Sequence, residues 1–508
     1  MLNWIRESWL TEIALLMLLI LAPPSMLQAG EKSPQVVKAE IEGNYEINLK
    51  VQANAAKVFF SADDPLSRRV FLDISAQRFL IVREAGGRRL VLKSYPDVGK
   101  TPWQVRVLKK GGFYRFWVNN ATAWIRDPLG SWETEDPTAN SEPRKAFVGV
   151  EVPSEGILSS FKVTLLPWLQ QITEPVIRRG PEGSFKEGHV LPGGIIQYKG
   201  VYYMYFTGSR HGNQEGGGTR EIGVASSSDL KSWQVQPEPV IRIGGPGAWD
   251  TTGIYCSGAV VTPDHQIAVM YAAQDFPKWT GFGLAVADHP LGPFRKPPTN
   301  PVYRFGSHAH EFDLLRVDHP DYRYLLFFAG FTGRPPYGKP GDRGYLIYSN
   351  DLVRWRTDPR NPVFGPETLD DWDSIHVRPR GLSKIADTWY LWYEGNNHWD
   401  PPPRADGFKH HGWWDTVGLA RSKDLVQWEY YPRNPALPAL GISKKQFDHE
   451  WVGWPRMVVK DGIGYVFYVG GSEIGLRTIP IPHLTDWSGE GGKVLDLLKQ
   501  DSSRRERR

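Results

Sequence analysis

The sequence predicts an all-β chain, a jelly-roll-like N-terminal β-sandwich followed by a five-bladed β-propeller, and three observations carry that expectation. The first is a repeated phrase. Gly418-Leu-Ala-Arg-Ser-Lys-Asp-Leu-Val-Gln-Trp428 recurs as Gly223-Val-Ala-Ser-Ser-Ser-Asp-Leu-Lys-Ser-Trp233 and as Gly344-Tyr-Leu-Ile-Tyr-Ser-Asn-Asp-Leu-Val-Arg-Trp355. Looser copies start at Gly283 and Gly475. A period of roughly 60 residues marks a solenoid or a propeller, and no helical pattern favours the solenoid. The second is period-two alternation of apolar and polar residues, the signature of half-buried strands. The third is composition: 52 Gly, 41 Pro, 21 Trp and 21 Tyr suit many short strands joined by tight turns.

Residues 1–29 read as an export signal, with Arg6, the apolar run Ile13–Ala22 and a Leu27-Gln28-Ala29 cleavage site. That run is short for a membrane span. Glu7 and Glu12 are unusual in such a signal, so an uncleaved anchor stays open. Residues 30–170 show strand patterns at Val58–Phe60, Arg69–Asp73, Phe79–Arg83, Arg89–Lys93, Gln104–Leu108, Tyr114–Asn119, Phe147–Val152 and Ser160–Leu166, punctuated by glycine turns. So many antiparallel strands in one short domain predict a sandwich. It is a carbohydrate-binding module or a support for the neighbouring propeller. In residues 171–490 each segment has an apolar strand, an aromatic-rich strand such as Tyr202-Tyr-Met-Tyr-Phe-Thr-Gly208, and then the repeated phrase. Residues 491–508 end in Arg504-Arg505-Glu506-Arg507-Arg508, expected to be a solvated, disordered tail.

A net charge of +4 over 508 residues gives no case for nucleic acid. Cys256 is the only cysteine, which excludes an intramolecular disulfide and a cysteine zinc cluster. No cofactor is expected, although an axial ion stays open, and the protein is expected to be a monomer.

The blade phrases resemble the five-bladed propeller glycoside hydrolases, the group of families 32, 43, 68, 117 and 130. Trp249-Asp-Thr-Thr-Gly-Ile-Tyr-Cys-Ser-Gly-Ala259 is similar to the family 32 run in which an acidic residue and a glycine precede Ser-Gly-Ser-Ala. The close of the sandwich resembles the last two strands of concanavalin-like jelly rolls. The propeller resemblance implies catalytic carboxylates at the axial ends of the innermost strands. Glycosidic cleavage needs one carboxylic acid to protonate the leaving oxygen and one carboxylate to activate water or attack the sugar.

The acidic candidates are Glu187, Asp250, Glu311, Asp313, Asp373, Asp448 and Glu450. Beside them stand His189, Trp249, His308, His310, Trp372, His376, Arg378, Arg380, His449, Trp451, Trp454 and Arg456. Flat apolar faces and directional donors are what a sugar site requires. The expected assignment is Glu311 as general acid and Asp250 as base or orienting carboxylate, with Asp373 and Glu450 as further catalytic carboxylates. His189, Trp249, His308, His310, Asp313, Trp372, His376, Arg378, Arg380, Trp454 and Arg456 are expected to bind substrate. The histidines suit hydroxyl binding or proton transfer better than a metal. The arginines suit a rim salt bridge or an acidic sugar or phosphate.

The sequence departs from families 32 and 43 at Leu191-Pro192, where the resemblance implies Asp-Pro. His310-Glu311-Phe312 and Val377-Arg378-Pro379 stand where Arg-Asp-Pro and Glu-Cys-Pro are implied. An exported glycoside hydrolase is the leading expectation. A glycan-binding protein without catalysis and a glycoside phosphorylase are the alternatives.

Overall fold

A computed structural model of the chain describes residues 35–496 apart from 42–43, 63–67, 76–77, 86–87, 97, 111–112, 127–145, 167–169, 172–173, 211–218, 276–277, 307–308, 333–340, 369–371, 398–415, 438–446, 449–450 and 488–493. The expected signal, Glu450, His308 and His449 therefore lie outside the described residues. Strands dominate what is described, with a single short helix at Ile481–Thr485. No described helix is long and apolar enough to cross a membrane.

The N-terminal region forms two six-stranded sheets. Each sheet turns alternate residues inward, and Ile47, Leu49, Val58, Leu72, Ile81, Val105, Phe116, Val150 and Phe161 make one shared core. Six of the eight strand patterns read from the sequence fall within observed strands, and Tyr114–Asn119 and Ser160–Leu166 each overrun theirs by one residue. One part of the tail departs from expectation. Val494–Asp496 pairs antiparallel with Ile157–Leu165, so the chain returns to the sandwich after the propeller.

The outer face of the second sheet is spent on docking. Lys110 Nζ donates to the Arg433 and Pro435 carbonyls at 2.8 and 3.1 Å. Arg106 and Arg433 share Glu46 at 2.5 and 2.6 Å. Phe113 and Trp124 join the apolar cluster of Phe327, Phe364 and Tyr393. Buried apolar and ionic contacts of this kind fix one domain against another.

Five antiparallel units follow, the blades of the propeller, counted among the described residues. Their innermost strands are His189–Tyr198, Gly253–Val261, Ala309–Arg316, His376–Ile385 and Val452–Lys460. Each packs on the next, and the fifth packs on the first, which closes a ring. Gln170–Gln171, from the chain ahead of the first blade, pairs with the outer strand Glu473–Pro480 of the fifth. Early and late chain thus share one blade, and the ring is fastened by hydrogen bonds.

The repeated phrase builds the outside of the blades, and each of its residues has a reason. Its glycine faces an aromatic ring of the middle strand. A Cβ would come within 2.4 Å of Phe206 at Gly223, 2.5 Å of Tyr271 at Gly283, 2.7 Å of Phe327 at Gly344, 2.3 Å of Tyr393 at Gly418 and 2.6 Å of Tyr468 at Gly475. Its aspartate caps a turn: Asp351 Oδ1 accepts from the Val353 and Arg354 amides, as Asp229 and Asp424 do in their blades. Its tryptophan donates Nε1 to the preceding leucine carbonyl, at 3.3 Å for Trp233, 3.1 Å for Trp355 and 3.2 Å for Trp428. The asparagine that follows holds a backbone N–H and C=O pair on the third strand, Asn361 on Leu346 and Asn434 on Leu419.

Candidate active site

All five innermost strands break register at the same point. The irregularities lie between Pro192 and Ile195, Cys256 and Gly258, His310 and Phe312, Pro379 and Gly381, and Gly453 and Arg456. A bulge re-aims a side chain that a regular strand would commit to one face. The residues at these points are Gly193-Gly194, Ser257, Glu311, Arg380 and Trp454-Pro455. Glu311 and Trp454 hold the left-handed backbone there, with φ of 52° and 57°. Non-glycine residues held so are uncommon and cluster at functional sites.

Around these bulges the structure gathers one charged cluster. Arg380 pairs with Glu311, Nη2 to Oε1 at 2.5 Å and Nε to Oε2 at 3.1 Å. Arg378 donates Nε to Asp342 at 2.7 Å and Nη1 to Glu394 at 2.6 Å, and its Nε lies 3.8 Å from Glu311. His376 Nδ1 meets Asp342 Oδ2 at 2.7 Å. His310 Nδ1 lies 3.3 Å from Glu311 Oε1. Glu394 also accepts the Trp454 amide at 3.0 Å, and a Cβ on Gly453 would meet that carboxylate at 2.5 Å, so only glycine fits beside it. Arg456 donates to the carbonyls of Phe312 and Arg380.

Burial without these partners would drive the carboxylates neutral. Burial pushes Glu311 upward, but Arg380, His310 and Arg378 outweigh it and hold the carboxyl below its ordinary range. Asp342 behaves alike: Arg378 and His376 overcome burial and keep it well below that range. An ionised Asp342 can only accept, so its 2.7 Å contact with His376 requires a proton on Nδ1, although the Asp342 amide also points at that nitrogen at 3.3 Å. Asp313 goes the other way. Burial raises it to about 6 against the pull of Arg456, although its Oδ2 accepts the Leu382 amide at 2.6 Å. Burial and then Arg220 lower His189 to about 3, so its ring is neutral at physiological pH.

Of the residues expected from sequence, the structure brings together Glu311, His310, Asp313, His376, Arg378, Arg380, Trp454 and Arg456. It does not bring Asp250 or Asp373 there. Asp250 accepts from Tyr271 at 3.0 Å and from Lys296 at 2.6 Å. Asp373 accepts from Tyr393 at 2.9 Å, and Asp448 from Tyr468 at 2.7 Å. Tyr393 and Glu394 are successive on one strand and point to opposite faces, which separates Asp373 from the cluster. The aromatic residue before each aspartate stacks on the same tyrosine: Trp249 on Tyr271 at 5.9 Å, Trp372 on Tyr393 at 5.8 Å, Phe447 on Tyr468 at 6.0 Å. Trp249 and Trp372 thus each stack within their own blade. Trp454 is poorly placed as a platform, because Arg380 lies 3.4 Å from its ring centroid.

Reasoning from sequence missed Asp342, Glu394, Arg343 and Arg220, because it searched only the inner strands and the chain leading into them, and it passed over Tyr255 on the second of those strands. Glu394 lies on a middle strand, Asp342 and Arg343 on a third strand. A signal was present. Glu394 stands where the other blades carry Thr207, Ala329 and Val469. A charge in a position that repeats as uncharged has a local partner to serve. Among the described residues no group of His, Cys, Asp and Glu is placed to hold a metal ion.

A model of the glycosyl hydrolase family 32 N-terminal domain matches residues 191–311. The match starts at Leu191 and ends on Glu311, the carboxylate of the axial cluster. The chain is thus similar to carbohydrate-active propellers. Solved structures resemble part of the chain. A glycosyl hydrolase from Bacteroides ovatus is 15% identical, covering 62% of this chain and 95% of that one, with a TM-score of 0.47. A structure from the family 130 mannoside phosphorylases, a family containing glycoside hydrolases that target β-1,2-mannosidic linkages in Candida mannan, is 14% identical, covering 62% and 96%, with a TM-score of 0.46. A thermostable family 43 glycoside hydrolase is 16% identical, covering 57% and 89%, with a TM-score of 0.42. No curated protein sequence matches the chain.

Proposed function

We propose that this protein is an exported glycosidase that cleaves an oligo- or polysaccharide at the axis of its five-bladed propeller. The observation that carries the reading is Glu311: a carboxylate on a bulge of an innermost strand, 7% exposed, with an imidazole and two guanidiniums around it. The family 32 match over residues 191–311 supports the same class of chemistry.

The electrostatics revise its expected role. A carboxyl held ionised by Arg380 and Arg378 is a poor proton donor. Glu311 therefore serves as the base that activates water, or as the charge that stabilises an oxocarbenium-like transition state. Proton donation falls to His376, whose Nδ1 is anchored on ionised Asp342 and whose Nε2 is the nitrogen assigned to the leaving oxygen. Positioned proton transfer of this kind contributes about 10²–10⁴-fold to rate. Asp313 binds within the axis without taking a direct part.

The test is product release from a panel of oligosaccharides, with binding measured in parallel. Wild-type protein should release sugar, and Glu311→Gln should bind the same glycan without releasing it. Binding without release by the wild-type protein would make this a glycan-binding propeller instead. Export is tested by N-terminal sequencing of the protein recovered outside the cytoplasm, where a start at residue 30 is expected.

A further inference from the structure

The floor of the axial site is a row of stacked rings and guanidiniums contributed by four blades. Arg220 lies over Tyr255 at 4.5 Å, Tyr255 lies against Trp454 with centroids 5.5 Å apart and planes 34° apart, and Arg380 covers Trp454. A guanidinium over a ring face is attracted by its quadrupole, and it also occupies that face. Each of the two rings thus has a guanidinium on it and the other ring beside it, which leaves a neutral sugar little aromatic face to stack on. What the row offers instead is positive charge at its two ends.

The ends differ. Arg380 is fully buried and committed to Glu311, whereas Arg220 is partly exposed, at the start of a third strand where it bridges Gly253 of the next blade. His189, the first residue of the first inner strand and 2% exposed, stands in the same cross-strand row as Arg220, with Ser209 between them. Neither of its ring nitrogens has a hydrogen-bond partner among the described residues. A buried imidazole left so costs free energy unless a ligand completes it, and the neutral ring offers one N–H. Arg220 supplies charge and His189 a directional donor, which together fit an oxyanion.

We infer that the sugar bound at this axis carries an acidic group, a carboxylate or a sulfate, seated between Arg220 and His189. This rests on the glycosidase reading and names its substrate class. The sugar ring then lies over the edges of Tyr255 and Trp454, with its scissile bond toward Glu311 and His376. Neutral sugars lose the ionic contact and find little aromatic face in exchange.

The experiment measures binding of the full-length protein to neutral, uronic-acid-containing and sulfated oligosaccharides at two salt concentrations, with product release scored on each. The expected result is that acidic oligosaccharides bind at least about tenfold more tightly than neutral ones of equal length, the preference weakening with added salt. Arg220→Gln should remove most of that preference, and His189→Phe should reduce it. Equal binding of neutral and acidic glycans by the wild-type protein overturns the inference whether or not either variant folds. Cleavage that needs inorganic phosphate and yields a sugar phosphate also overturns it, since the anion is then a co-substrate. If acidic glycans bind selectively and none is cleaved, the acidic-group inference stands and the glycosidase reading falls.

Discussion

The outer edge and the inner end of each blade obey opposite rules. At the outer edge the same residues do the same work in the first, third and fourth blades: a glycine under a ring, an aspartate capping a turn, a tryptophan tied to a leucine carbonyl. At the inner end the bulge recurs but its residue does not, being Gly-Gly, Ser, Glu, Arg and Trp-Pro in turn. Repetition there belongs to the backbone, and difference to the side chains. Five equivalent positions around one axis can thus supply five unlike groups, which a site for an asymmetric ligand requires.

Asp250, Asp373 and Asp448 show how the two rules can be confused. They precede the second, fourth and fifth inner strands, as catalytic carboxylates would, yet each is bound to a middle-strand tyrosine 20 or 21 residues later. That constant spacing puts them with the scaffold. Removing Arg378 should have the largest effect on the comparison, because it serves Asp342 and Glu394 together. Arg378→Ala should cost about 3–5 kcal/mol by leaving buried carboxylates uncompensated, measured as a fall in the urea midpoint. Asp373→Asn weakens a hydrogen bond to a charged acceptor and should cost about 1.5–3 kcal/mol in the same assay while leaving turnover per folded molecule unchanged. A capping aspartate matters less. Asp351→Ala should cost about 1 kcal/mol and leave turnover alone.

The smallest effect expected is on pH dependence. His189 is held at about 3 in the fold against an ordinary value of 6.5. Between those values the unfolded chain binds a proton that the fold refuses, so this residue's contribution to stability falls as pH drops from about 6.5 toward 3. His189→Phe should flatten that slope in urea unfolding at pH 7 and pH 5. An unchanged slope would place the acid sensitivity elsewhere.

Much of the fold was legible because strands and turns are local. Alternation marked the sandwich strands, and the repeated phrase marked the outer edges of the blades. The return of Val494–Asp496 to the sandwich was not legible, since a three-residue strand carries no period and its partner lies more than 300 residues earlier. The site was legible in part. Glu311, Arg378, Arg380 and Trp454 sit on inner strands, where the search was made. Asp342 and Glu394 reach the axis from the third and middle strands, and only the closed ring shows that those strands end beside it. The sandwich shows the same limit. Its docking face reads in sequence as any amphipathic sheet, and the consumption of Arg106, Lys110 and Arg115 by the propeller appears only once the domains are seen together.

The most direct test of the division between scaffold and site is turnover of Glu311→Gln and Asp373→Asn on one cleaved oligosaccharide, each corrected for its folded fraction. Glu311→Gln should lose at least about 10²-fold in kcat, and Asp373→Asn should keep the wild-type value. Full activity in Glu311→Gln, or its loss in Asp373→Asn, would contradict the placement of the chemistry at the axial bulges.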